Sequence, residues 1–122
     1  MIRPDSRPLL TTRTTVEIKN GASVSTAVSL GGLHLVGLVM PNQWTSAAIT
    51  FQAAFNDSAA YDLFDAQGSE VSVAAKADGW FALDPKLFCG FSTFRLRSGT
   101  TGTPVVQLAD RTITLIGRPY PS

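Results

Sequence analysis

The chain has 122 residues, 44% of them hydrophobic and 16% charged, with a formal net charge of +1. That length fits one domain with one core. The apolar content excludes a disordered chain, and the near-neutral balance excludes a protein that binds nucleic acid by bulk electrostatics.

The charge is unevenly spread. Residues 1–47 carry a net +2, residues 48–94 a net −4 and residues 95–122 a net +3. A single cysteine, Cys89, allows no intrachain disulfide. A single histidine, His34, gives little from which to build a zinc site. The opening Met1-Ile2-Arg3-Pro4-Asp5-Ser6 has no apolar stretch of signal-peptide type. No run approaches the ~18 apolar residues of a membrane-spanning helix. A protein made in a reducing cytoplasm, with neither membrane nor nucleic acid as partner, is the expectation.

Residues 1–13 carry Pro4, Pro8 and three arginines without a regular period. Proline fixes φ and biases the preceding residue to extended backbone, so this segment reads as an extended arm. Thr14 to Lys19 alternates, with Val16 and Ile18 on one face and Glu17 and Lys19 on the other. Asn20-Gly21 is a turn pair. Val24 to Leu30 alternates again, with Val24, Thr26, Val28 and Leu30 on one face, and Gly31-Gly32 ends it. Leu33 to Met40 is nearly all apolar and reads as a central strand covered on both faces.

Ala48 to Phe55 is the next strand, with Ile49, Phe51, Ala53 and Phe55 in phase. Asn56-Asp57-Ser58 is a turn by side-chain chemistry. Short strands follow at Tyr61–Asp65 and Glu70–Ala74, then a turn at Asp78-Gly79 and a strand from Trp80 to Leu83. Asp84 before Pro85 is an N-cap with proline at the first helical position, which predicts one short helical turn. Ser92 to Ser98 is a strand with Phe94 and Leu96 inward and Arg95 and Arg97 outward. A glycine-containing loop covers residues 99–104, and Thr112 to Gly117 is the last strand.

Many short strands separated by polar turns predict an all-β fold, an antiparallel β-sandwich of jelly-roll-like type with an extended N-terminal arm. The expected divisions are an arm over residues 1–13, a sandwich over 14–118 and a tail over 119–122.

Candidate chemistry is sparse. Phe51, Phe55, Tyr61 and Phe64 fall mostly in strands and read as core. Asp62 and Asp65, three apart on a strand, point to opposite faces and make a poor acid–base pair. A calcium site from Asn56, Asp57, Asp62 or Asp65 lacks any EF-hand spacing. His34 reads as a packed residue, and Cys89, between Phe88 and Gly90, as a small buried one. No serine sits in a nucleophile-elbow context. The glycine pairs at 31–32 and at 99 and 102 lack the strand–helix setting of a phosphate loop. An enzyme is not expected, and neither is a cofactor or a metal.

Arg95, Arg97, Arg111 and Arg118 form the one basic grouping. Of the tryptophans, Trp44 lies in a loop and is the better stacking platform, although packing under its own loop is the simpler role. Trp80 reads as the start of a buried strand.

The segments Leu38-Val39-Met40-Pro41, Trp44-Thr45, Ile49-Thr50-Phe51-Gln52, Asp62-Leu63-Phe64-Asp65, Ala82-Leu83-Asp84-Pro85 and Leu96-Arg97-Ser98-Gly99-Thr100, set between Val28 and Pro119, carry a resemblance. The order resembles small structural proteins encoded among tailed-phage morphogenesis genes and in gene transfer agents. It implies a β-sandwich in the virion, of head decoration, head-spike or cement type, with no catalytic residues to carry over. The partners would be other virion proteins, a major capsid protein or spike or fibre components, and further copies of the chain.

Candidate partner-binding residues are Arg3, Arg7, Leu9, Leu10 and Arg13 in the arm, Trp44 in its loop, Arg95 and Arg97 on their strand, and Arg118 and Tyr120 near the end. The alternative expectation is a carbohydrate-binding module, with Trp44, Tyr61 and the acids near Asp57 meeting a glycan.

Overall fold

The computed structural model describes residues 11–55 and 59–119. Strand β1 (Thr12–Ile18) puts Val16 and Ile18 into the core and turns Arg13, Thr15 and Glu17 outward. It pairs antiparallel with β8 (Arg111–Arg118) without a break, from Thr12 opposite Gly117 to Ile18 opposite Arg111. Its start at Thr12 brings Arg13, expected in the arm, into the sheet. At the other end of β1, Asn20-Gly21 makes the expected turn. Gly21 sits at φ 82°, and the Ala22 amide donates to the Lys19 carbonyl at 2.9 Å.

The first sheet has the order β1-β8-β2-β6, where β2 is His34–Val39 and β6 is Trp80–Ala82. A register shift between Leu35 and Gly37 marks a bulge in β2. The bulge lets both Leu35 and Leu38 face the core. The strand is central, as the apolar run suggests, but its outer face at His34, Val36 and Val39 is only half covered.

Trp80 corrects an expectation. It opens β6 but is 68% exposed, because β6 is the sheet's edge and the indole lies on the outer face. Gly37 makes room for it: an added Cβ there would come within 3.0 Å of Trp80 Nε1 and 3.6 Å of Ile116 Cβ.

The second sheet is built on β3 (Ile49–Ala54). On one side β3 pairs with β7 (Thr93–Ser98) over six residues. On the other it pairs with β4 (Tyr61–Asp62) and β5 (Ser72–Val73). The segment from Val24 to Leu30, expected as a full strand, lies along β7 with isolated bridges at Val24–Arg97 and Val28–Phe94 and a Ser25 amide bond to the Leu96 carbonyl at 2.9 Å, without forming a continuous strand. The alternation breaks at Ser25, which is buried while Thr26 is exposed. The cause is chemical: Ser25 Oγ accepts the Leu96 amide at 3.0 Å, standing in for a main-chain carbonyl.

With that segment counted, the second sheet runs 24–28, β7, β3, then β4 and β5, and the two strand orders together are those of a jelly roll. The core lies between the sheets. Ile18, Leu35, Leu38, Ile49, Phe51, Leu96, Ile113 and Leu115 are fully buried there. Each such side chain contributes about 1.5–3 kcal/mol by leaving water.

Asp84 and Pro85 open a 3-10 turn, Pro85–Phe88, as read from the sequence. Asp84 Oδ1 accepts the Lys86 amide at 3.0 Å, and Phe88 drops into the core. Asp84→Ala is expected to cost about 1 kcal/mol, the usual loss for removing an N-cap. A urea titration would check this, and an unchanged midpoint would deny the cap any energetic role. Cys89 corrects another expectation. It is exposed, because the turn points Phe88 inward and leaves the next side chain outside.

Candidate functional site

Arg97 occupies an unusual place for a strand arginine. Period two puts it on the same face as Arg95, and both were expected to point outward. Arg95 is exposed, but Arg97 is only 4% exposed. The difference lies in what covers the sheet. The loop after β7 folds back over this face, and Thr50, opposite Arg97 in the register, donates its hydroxyl to the Gly99 carbonyl at 2.7 Å.

Under that cover the Arg97 guanidinium pairs with Asp62 and lies 3.4 Å from Glu70, and it donates to Thr101 Oγ1 at 2.7 Å. Glu70 in turn accepts the Thr101 amide at 3.2 Å and the Thr101 hydroxyl. Arg97 therefore pins β4, the Glu70 segment before β5 and the 99–104 loop to β7, and its charge is spent inside the chain. Asp62, read from the sequence as a poor acid–base partner, is instead a counter-ion of Arg97. Asp65, expected at the end of a strand from Tyr61, lies beyond β4 and anchors the turn that follows, accepting the amides of Gln67 and Ser69 at 2.9 and 3.0 Å.

Gly99 makes the loop's return possible. Its φ is 96°, and an added Cβ would come within 2.7 Å of the Val105 nitrogen and 2.8 Å of Pro104 Cα. Only glycine fits both demands.

A second polar node was not visible in the sequence. Gln107 is fully buried, and all four hydrogen-bonding positions of its amide are used. Nε2 donates to the Thr45 carbonyl at 3.0 Å and to Ser98 Oγ at 2.7 Å. Oε1 accepts the Thr45 amide at 2.9 Å and Arg111 Nε at 3.1 Å. Its main chain pairs with Gly21 and Ala22. The one hint in the sequence is a polar residue set in the run Pro104-Val105-Val106-Gln107-Leu108.

Trp44 belongs to the loop that Gln107 holds. It is half-buried against the core, and its indole N–H donates to the Ala47 carbonyl at 3.0 Å. Its polar edge is thus committed within its own loop.

The exposed chemistry lies elsewhere. Phe55, Tyr61 and Phe64 are 68%, 72% and 50% exposed. They were expected in the core, but Phe55 follows the last paired residue of β3 and β4 is a two-residue edge strand. The three rings rim an open groove floored by Ala53, Leu63, Leu87 and Phe91. Asp65 and Lys86 are its charged lining residues. The floor is tied to the core by edge-to-face ring contacts: Phe51 to Phe88 at 4.9 Å, Phe88 to Phe91 at 6.2 Å and Phe91 to Phe94 at 5.9 Å. A rigid apolar floor with exposed aromatic walls can bury apolar surface of a partner. Among the described residues, no group of three His, Cys, Asp or Glu side chains is placed to hold a metal ion.

Tyr61, named for the glycan alternative, lines this groove, but the residues named for partner binding do not converge on it. Arg13 is exposed on β1, Trp44 lies in its loop, Arg95 is exposed on β7, Arg97 is buried and Arg118 is half-buried at the end of β8. Arg3, Arg7, Leu9, Leu10 and Tyr120 lie outside the described residues, as do Asn56 and Asp57.

The architecture defines the chain as an antiparallel jelly-roll sandwich. No family model and no curated protein matches it. Among solved structures, the crystal structure of the SPBc2 prophage-derived protein YomS is similar, with a TM-score of 0.54 and 14% sequence identity. The alignment covers 92% of this chain and 97% of that one. At this identity the likeness is one of fold.

Proposed function

We propose that the chain is a non-enzymatic structural protein of a tailed-phage virion or gene transfer agent. Its role would be that of a capsid decoration, cement or head-spike subunit that docks on other virion proteins. The observation that carries the reading is the fold it shares, nearly end to end, with a prophage-derived protein. Fold alone does not fix function, so the surface must supply the rest. The aromatic groove supports a docking role, because three large rings exposed around one apolar floor are costly to leave in water. The occupant this groove suits is an apolar segment of another virion protein, a capsid or fibre component.

Particles from the strain that encodes the chain, sedimented through a gradient, test the reading. The chain is expected with the particles in a fixed ratio to the major capsid protein. A chain found wholly in the soluble fraction would overturn it. The double variant Tyr61→Ser/Phe64→Ser is expected to weaken particle association about tenfold or more, since such aromatic anchors dominate contact energetics, while melting within about 2 °C of the parent. Undiminished association of that variant would remove the groove from the docking surface.

A carbohydrate-binding module is the second reading, favoured by the exposure of Tyr61. Saturable binding on a glycan array, lost in Tyr61→Ala while particle association persists, would select it.

A further inference from the structure

We infer that two copies of this chain join edge to edge through β1, in antiparallel register about a two-fold axis at Thr15, so that the two first sheets become one. The inference does not rest on a virion role.

The first observation is the edge itself. β1 is seven residues long, and among the described residues only β8 pairs with it, leaving its other side open. The remaining edges are shorter or covered. β6 has three residues, β4 and β5 have two each, and β7 is bridged by the 24–28 segment. Proteins usually blunt a long open edge with a proline, a bulge or an inward-pointing charge. From Thr12 to Ile18, β1 has none of these: its register with β8 is continuous, and its inward residues are Thr12, Thr14, Val16 and Ile18.

The second observation is the charge pattern, which selects both the occupant and the register. A two-fold antiparallel pairing must be centred on a residue, so few registers are available. Centred on Thr15, Arg13 of each copy lies directly opposite Glu17 of the other, twice by symmetry. Thr12 then faces Ile18, Thr14 faces Val16 and Thr15 faces its own counterpart, so the whole strand is used. Centring on Val16 would set Arg13 against Lys19, and centring on Glu17 would set two carboxylates together. Directly opposed unlike charges favour a strand pair and like charges oppose it.

The charges concerned are on the outer face and accessible. Arg13 is exposed and makes no ion pair among the described residues. Glu17 meets Lys19 of its own strand at 2.8 Å, and the hydrogen bond from that ammonium to Glu17, ahead of the charges of Glu17 and Asp110, raises the Lys19 pKa. Glu17 can still take Arg13 of the other copy on its free oxygen. The joined edge would add about six to eight ladder hydrogen bonds.

Sedimentation equilibrium of the full chain over a wide concentration range tests this. A reversible dimer is expected. Arg13→Glu alone and Glu17→Arg alone should each raise its dissociation constant about tenfold or more, since two attractive pairs become two repulsive ones. An equimolar mixture of the two variants should restore dimers, because each opposed pair across the mixed edge then joins an acid to a base. The double reversal in one chain should restore them for the same reason. Circular dichroism and melting of each variant verify that the monomer fold is intact. A parent chain that stays monomeric at every concentration overturns the inference. So does a dimer that both single reversals leave unchanged, or one that mixing fails to rebuild.

Discussion

Arg97→Met is expected to destabilise the fold by about 3 kcal/mol, the lower end of the cost of breaking a buried ion pair by removing one partner. The lower end applies because Asp62 and Glu70 keep 28% and 18% of their side-chain surface in contact with solvent, so water partly screens the carboxylates left behind. For a chain of this size the melting midpoint should fall by about 10–15 °C. Removing the carboxylates as well, with Asp62→Leu and Glu70→Gln in the same chain, should recover much of the loss. A whole buried ionic group replaced by apolar or neutral side chains is often close to neutral. Thermal melts of the single and triple variants decide the point. A single variant that melts with the parent would mean that the 99–104 loop is held by other contacts. Arg95→Ala, on the same strand face but in water, should stay within about 0.5 kcal/mol of the parent.

Gln107→Leu is the second large effect, also about 3 kcal/mol, for the opposite electrostatic reason. Leucine preserves the volume but strands the Thr45 amide, the Thr45 carbonyl and the Ser98 hydroxyl without their partner. Each buried group left unsatisfied costs about 1–3 kcal/mol, and water entering beside Thr45 relieves part of the total. Hydrogen exchange gives the sharper readout. The Thr45 amide should lose protection in the variant while the amides of β3 keep theirs. Uniform loss of protection would assign Gln107 a global role instead of a clip between loops.

The strand frame was legible where local chemistry and period agreed. Val16 and Ile18 alternate against Glu17 and Lys19, Asn20-Gly21 can only turn, and Asp84-Pro85 caps a short helical turn. Period two says which way a side chain points and nothing about what lies over it. This is why Arg95 and Arg97 looked alike in sequence and differ in burial, and why Phe55, Tyr61 and Phe64 looked like core. Ser25 was illegible for a different reason. Its hydroxyl replaces a main-chain group in the ladder, which breaks the alternation at Ser25 and Thr26 while Val28 and Leu30 keep the inward face read from the sequence. Of the residues named in advance for partner contact, Arg13 stands on an open edge and Arg95 in solvent, while Arg97 is consumed by the fold. The groove itself depends on which aromatics the second sheet leaves uncovered, a long-range outcome that no local pattern encodes.

The pairing of Thr12 with Gly117 has a consequence for biosynthesis. Among the described strands β1 leaves the ribosome before all others, yet its neighbour β8 follows them all, and β8 also joins β1 to β2. Although β2 can meet β6 earlier, a nascent chain must carry Val16 and Ile18 without their sheet, and the two halves of that sheet unjoined, until translation has passed Arg118. Such late, non-local closure makes folding slow and leaves sticky segments open in the meantime. Yield in a foreign host should accordingly respond more to temperature and chaperone supply than the stability of the finished molecule would suggest.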